Sequence, residues 1–251
     1  MLIQIYLWML VLCGISKGTC ETSEPAPETS THHYAGYIQD IYQASQRVLG
    51  VVNSSVTEHK LSEPALQTRN GTYTGIYSPT YDQDYFLGIP YAQPPIDDLR
   101  WRLPQSVNTS FSGTKEAKSY SANCVGLGTD SWGYALSEDC LYLNVVRPHQ
   151  PEAQATSDEL LPIAVWIHGG GFYMGGSADR RFNLSMIVEN GQKSGTPFIA
   201  ISLNYRLNGW GFLYSNEVRG EGGTNLGLRD QRLALHWVSA VSENRVVSRV
   251  K

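Results

Sequence analysis

The sequence predicts an α/β chain, and three observations carry that prediction. Two near-continuous apolar runs, Leu161 to His168 and Phe198 to Leu203, are β-branched and aromatic in content, as suits strands covered on both faces in a parallel sheet. Between them lie a glycine-rich loop and a helical stretch around Asn183 to Asn190, making a strand, loop, helix and strand unit. The composition supports a packed core: 41% of the 251 residues are hydrophobic and 17% charged, which argues against disorder, collagen and coiled coil.

The elements follow in order. Residues 2 to 16 carry no charge and precede Lys17, Gly18 and Thr19. This run of 15 is shorter than the ~20 residues of a membrane-spanning helix, and it suits the core of a secretory signal. Residues 1–20 therefore read as a leader removed on export, the alternative being a short amphipathic or buried first helix. Residues 21–69 are an N-terminal extension of uncertain structure, opening with the polar tether Glu21 to His33. From Gly71 to Pro104 the pattern is short strands and turns, broken at Gly75, Gly88, Pro94 and Pro95. A strand from Cys140 to Val146 ends at Pro148, and a polar connector leads into the first long apolar run. After the second run a helix is expected from Asn225, a good N-cap. Its apolar face is Leu226, Leu233, Trp237 and Val241, with Val238 at the edge and Leu235 outside it. No later run is long enough for a transmembrane span.

The formal charge is −4 with no run of Lys or Arg, so the basic footprint needed for nucleic acid or an anionic membrane is missing. Cys13 and Cys20 fall in or at the end of the leader, leaving Cys124 and Cys140 as an even pair. In an exported chain one disulfide is the economical reading, two buried free thiols the alternative. Four N-x-Ser/Thr sequons, at Asn53, Asn70, Asn108 and Asn183, are candidate glycosylation sites. No metal and no cofactor is expected.

The loop after the first long run is HGGGFYMGG, His168 to Gly176. Gly169, Gly170 and Gly171 remove every Cβ where the chain turns, so that successive N–H groups can point into one concavity and receive a developing negative oxygen. A flexible turn is one alternative. Phosphate binding is another, although neither GxGxxG nor GxxxxGK[ST] occurs.

Four collinear segments, Tyr85 to Gln105, Ser137 to Pro148, Ala164 to Gly176 and Leu203 to Val238, resemble the type-B carboxylesterase family, which includes cholinesterases and fungal extracellular lipases. The resemblance covers residues 70–238 and implies the N-terminal part of an α/β-hydrolase fold, with its central mostly parallel sheet, and a secreted hydrolase of small-molecule or lipid esters. It implies that Gly170 and Gly171 are oxyanion donors, supported by Gly169 and by His168, whose alternative role is a packed histidine at a strand end. It also implies ion pairs between Arg100 and Glu138 and between Arg206 and Asp230, and a loop closed from Cys140 back to Cys124. That loop is shorter than the flap of the family's lipases, which favours soluble esters over triglyceride. Trp132 within it is expected to pack in the loop rather than to serve as a cation platform.

The departure from the family lies in the catalytic groups. Family chemistry needs a serine on a GxSxG elbow, an acid and a histidine, all after the HGGG loop. The sole GxSxG string, Gly14 to Gly18, falls in the leader, and the histidines at 32, 33, 59, 149, 168 and 236 all precede the place of a base. Residues 239–251 read as a non-family tail, for which Val241-Ser242 offers a translated-intron explanation (GTAAGT). The chain is thus expected to break off before the nucleophile elbow and to be inactive as it stands, with the edge of strand 161–168 uncovered. A non-catalytic binding or adhesion protein of the same fold is the other functional reading.

Overall fold

The computed structural model describes residues 63–149 and 161–243. The leader, Cys13, Cys20, Asn53, the tether, and the tail beyond 243 lie outside the described residues, as does the connector from residue 150.

Among the described residues ten strands and four α-helices follow in order. A hairpin of β1 (Ala65–Thr68) and β2 (Gly71–Thr74) is joined by β5 (Thr114–Glu116), parallel to β2. The central sheet contains β3 (Ile76–Ser78), β4 (Gln83–Pro90), β8 (Tyr142–Pro148), β9 (Ile163–Ile167) and β10 (Ile199–Leu203), in the order β3-β4-β8-β10-β9. Strands β6 (Asn123–Cys124) and β7 (Leu136–Ser137) form a small parallel pair. The helices are α1 (Ser185–Lys193), α2 (Asn208–Phe212), α3 (Asn216–Gly220) and α4 (Leu226–Glu243).

Within the described part of the central sheet, β9 and β10 are the parallel pair, while β3, β4, β8 and β10 join antiparallel. The crossover from β9 to β10 passes through α1, as a parallel connection requires. Alternation along the strands divides the sheet into two faces. Leu143 and Val145 of β8, with Ile201 and Leu203 of β10, point into the main core, which includes Ala234, Val238 and Val241 of α4. Val146 and Ala200 point the other way and pack with Val188 of α1. Fully burying an aliphatic side chain of this kind contributes about 1.5–3 kcal/mol.

Three sequence expectations are corrected here. Strand β10 is buried at all five positions, whereas no residue of β9 is buried and Ile167 is 37% exposed. The reason is placement: β10 lies between β8 and β9, while β9 is outermost in the described sheet. In α4 the most buried face runs through Leu226, Asp230, Ala234, Val238 and Val241, with Leu233 and Trp237 only half-buried beside it. Asn225 immediately precedes this helix with φ 54° instead of an extended N-cap conformation, and its backbone carbonyl accepts from Leu228 and Arg229 N–H, both at 3.1 Å. The helix continues past Val238 to Glu243. No described helix is long and apolar enough to cross a membrane.

Candidate active site

Strand β9 delivers the chain to His168, which is buried, and then to the three glycines. Gly170 and Gly171 have φ of 116° and 62°, left-handed values that favour glycine. A Cβ at Gly170 would collide with the Met174 carbonyl, and one at Gly171 would stand 2.8 Å from the Tyr173 ring. The turn closes when Tyr173 and Met174 N–H both donate to Gly170 O at 3.2 Å.

The far side of the loop is tied down through its carbonyls. Tyr173 O accepts from Leu127 N–H at 2.7 Å and from the Asn208 side chain at 2.9 Å, while Phe172 O accepts from Asn208 N–H at 2.9 Å. By contrast, the N–H groups of Gly170 and Gly171 donate no hydrogen bond among the described residues. The loop therefore presents two free donors on Gly170 and Gly171, next to Phe172 and Tyr173 whose carbonyls are held. Such donors can receive an anion or a developing negative oxygen.

His168 is held by Tyr205 through both its ring and its carbonyl. Its ring stacks on Tyr205 at 4.5 Å between centroids, and Tyr205 OH donates to His168 O at 3.0 Å. Nδ1 lies 2.9 Å from Gly169 O. A carbonyl can only accept, so this contact assigns the ring proton to Nδ1. Burial then lowers the His168 pKa below its ordinary value, keeping the ring neutral, while Nε2 is buried without a hydrogen-bond partner.

The trailing end of the loop enters a buried amide network that sequence reasoning missed. Asn204, just after β10, accepts from Ser177 N–H at 2.7 Å, donates to Ala122 O at 3.0 Å, and its backbone carbonyl accepts from Tyr91 OH at 2.7 Å. Asn144 of β8 donates to Ser177 Oγ at 3.0 Å and Ser202 Oγ at 3.1 Å, and accepts from Gly88 N–H at 2.9 Å. One asparagine inside an apolar strand run and another directly after one were the available signal, because a buried amide is costly unless its partners are supplied.

Arg206 and Asp230 are buried together. Arg206 Nε and Nη2 donate to the two carboxylate oxygens at 2.9 and 2.7 Å, and Arg206 N–H adds a third bond at 3.0 Å. Arg206 Nη1 also reaches Arg102 O at 2.9 Å, linking this corner to the 100–102 turn. Arg100 pairs with Glu138 through Nε while both side chains stay partly exposed. Cys124 and Cys140 are bonded to each other and buried. Trp132 in the loop between them is 76% exposed, which corrects the expectation that it packs there: the loop is fastened through Leu127 N–H, and the indole has no aromatic neighbour among the described residues. Of the described sequons, Asn70 occupies the β1–β2 turn, while Asn108 and Asn183 are exposed.

A hollow of about 490 Å³ lined by Arg100, Trp101, Arg102, Leu213 and Glu221 does not include the glycine loop. Among the described residues no three His, Cys, Asp or Glu side chains are grouped to hold a metal ion.

A model of the Carboxylesterase family matches residues 62–242. The chain is 34% identical over 212 residues to Lipase 4 of Diutina rugosa, covering 76% of this chain and 37% of that protein. It is 34% identical over 203 residues to Secreted lipase 1 of Botryotinia fuckeliana, covering 72% and 34% respectively. The crystal structure of Aspergillus niger EstA superposes with a TM-score of 0.60 at 35% identity, covering 72% of this chain and 33% of that one. The chain thus spans about a third of the length of these relatives.

Proposed function

Because the chain belongs to the carboxylesterase family and its described residues form part of an α/β-hydrolase fold, we propose that it supplies the oxyanion-binding part of a secreted carboxylic ester hydrolase. The observation that carries this reading is the pair of free N–H groups on Gly170 and Gly171, beside a neutral His168 and above carbonyls already tied to Leu127 and Asn208. In the reaction a serine hydroxyl gives its proton to a histidine and attacks the ester carbonyl carbon. The carbonyl oxygen becomes an oxyanion, and the two glycine N–H groups stabilise it. The alcohol leaves with the proton, and water then releases the acid from the acyl-serine.

No GxSxG turn follows the glycine loop in these 251 residues, so this polypeptide alone lacks the elbow serine and is inactive on esters. The loop between Cys124 and Cys140, with 16 positions of sequence separation, favours soluble esters over an interfacial triglyceride. Export rests on the uncharged run at residues 2 to 16 and on the relatives named as secreted.

The test has two arms. The 251-residue chain is incubated with p-nitrophenyl butyrate, and hydrolysis well above the buffer rate refutes the inactive reading. In a polypeptide extended through an elbow serine, an acid and a histidine, Gly171→Val is expected to lower kcat by about 10² or more. An unchanged kcat refutes the donor assignment. A residue other than serine at the elbow would instead support a non-catalytic binding protein.

A further inference from the structure

Three described sequons share one chemistry, yet the fold uses their side-chain amides differently. Asn70 sits in the turn between β1 and β2, and its Nδ2 donates to Val107 O at 2.9 Å and to Thr109 O at 3.0 Å. Its backbone carbonyl accepts from Phe111 N–H at 2.8 Å, and the Phe111 ring meets Tyr73 edge-on at 5.3 Å. Asn70 thus fastens the hairpin to the 107–111 segment from three points. An asparagine amide has two N–H donors, both of which are engaged here. An N-linked sugar replaces one of them, so at most one of the two bonds can survive, and the first sugar must stand between the turn and the 107–109 backbone.

The other two are arranged differently. Asn108 is exposed, with Oδ1 accepting from Gln93 Nε2 at 3.4 Å. Asn183 is exposed, with Oδ1 accepting from Ser185 N–H at 2.9 Å. In both, the acceptor oxygen is engaged while Nδ2, the atom a glycan takes, has no partner among the described residues.

We propose that the fold employs Asn70 as an internal latch that stays unglycosylated in the folded protein, and that Asn108 and Asn183 are its glycan acceptors among the described sequons. The proposal rests on the export reading above. Transfer precedes folding, so a chain modified at Asn70 loses at least one of the two amide bonds and carries a sugar in this corner; such chains close it poorly and are removed with other unfolded molecules. Secreted molecules therefore carry a free Asn70.

The full chain is expressed with its own leader in a eukaryotic secretory host. Soluble, protease-resistant protein is treated with peptide N-glycosidase in heavy-oxygen water, and each sequon peptide is read by mass spectrometry. Asn108 and Asn183 are expected to take up the label, and Asn70 is not. Thr72→Ala, which abolishes the Asn70 sequon while keeping Asn70, is expected to leave gel mobility unchanged. Asn108→Gln and Asn183→Gln are each expected to shift it by one glycan. Asn70→Asp is expected to lower resistance to proteolysis where Asn108→Asp does not. A removed leader with Asn70 labelled, or with Asn108 or Asn183 unlabelled, overturns the proposal alone. A retained leader with no glycan anywhere overturns the export reading and this proposal together.

Discussion

Strands β9 and β10 run side by side in register, with Ile199 opposite Ile163 and Leu203 opposite Ile167, and both are apolar runs. Their surroundings differ. Every residue of β10 is at most 4% exposed, and the chain leaving it, Asn204 to Leu207, stays buried. The chain leaving β9 emerges within two residues of its end into exposed glycines. One strand anchors and the other displays. The glycine loop grows from the displaying strand, but Asn204, Tyr205 and Asn208, which follow the anchoring strand, hold its trailing serine, its histidine ring and, together with Leu127, its carbonyls.

This contrast can be broken in order of expected effect. Asp230→Ala leaves Arg206 charged and buried beside the end of β10, and it is expected to cost about 3–5 kcal/mol, measured by urea unfolding. A loss below about 1 kcal/mol would show that the pair is not part of the anchor. Ile201→Ala in β10 is expected to cost about 2–5 kcal/mol, whereas Val165→Ala, its register partner in β9, costs less because the site is already partly open to water. Equal losses would erase the contrast. Removing the disulfide with Cys140→Ser is expected to cost about 3 kcal/mol by the loop-entropy account, read as a fall in Tm.

Two smaller effects sharpen it. Ala164→Lys on exposed β9 is expected to reduce self-association in sedimentation without lowering Tm, since a charge on an outer strand discourages edge pairing. Smallest is the pH effect of His168. Burial lowers its folded pKa below the unfolded value near 6.5, so its contribution is complete above about pH 6.5 and is lost as pH falls through the folded value. The acid-side fall in Tm should be shallower in His168→Asn, which keeps a donor toward Gly169 O but does not titrate. An identical pH profile would refute a neutral, buried His168.

Much of the architecture was legible because it is local. Apolar runs of five to eight residues mark strands wherever they lie in the sheet, and three glycines in a row mark a backbone without Cβ atoms. What such patterns lack is neighbourhood. Leu161 to His168 and Phe198 to Leu203 read alike, yet only the second gains β8 on its far side. In α4, helical spacing selected Leu233 and Trp237, while packing selected Ala234 and Val238, because the ion pair of Asp230 with Arg206 turns that side of the helix inward. Asn144 was visible as a polar residue in an apolar strand and Asn204 as one directly after such a strand, but their partners Ser177, Ala122 and Gly88 come from three separate loops or strands.

The sequence by itself determined the strand, loop, helix and strand order and the glycine turn after β9, which follow from periodicity and side-chain size, while the cysteine count left one pair as the economical reading beside two free thiols. Only the tertiary structure decided which strand is outermost, which sequon amide is engaged, and that the N–H groups of Gly170 and Gly171 remain free while the loop carbonyls are bound. The physical reason is that burial and hydrogen-bond satisfaction depend on distant partners. Gln83 meets Ser185 across 102 positions, and Asn204 meets Ala122 across 82.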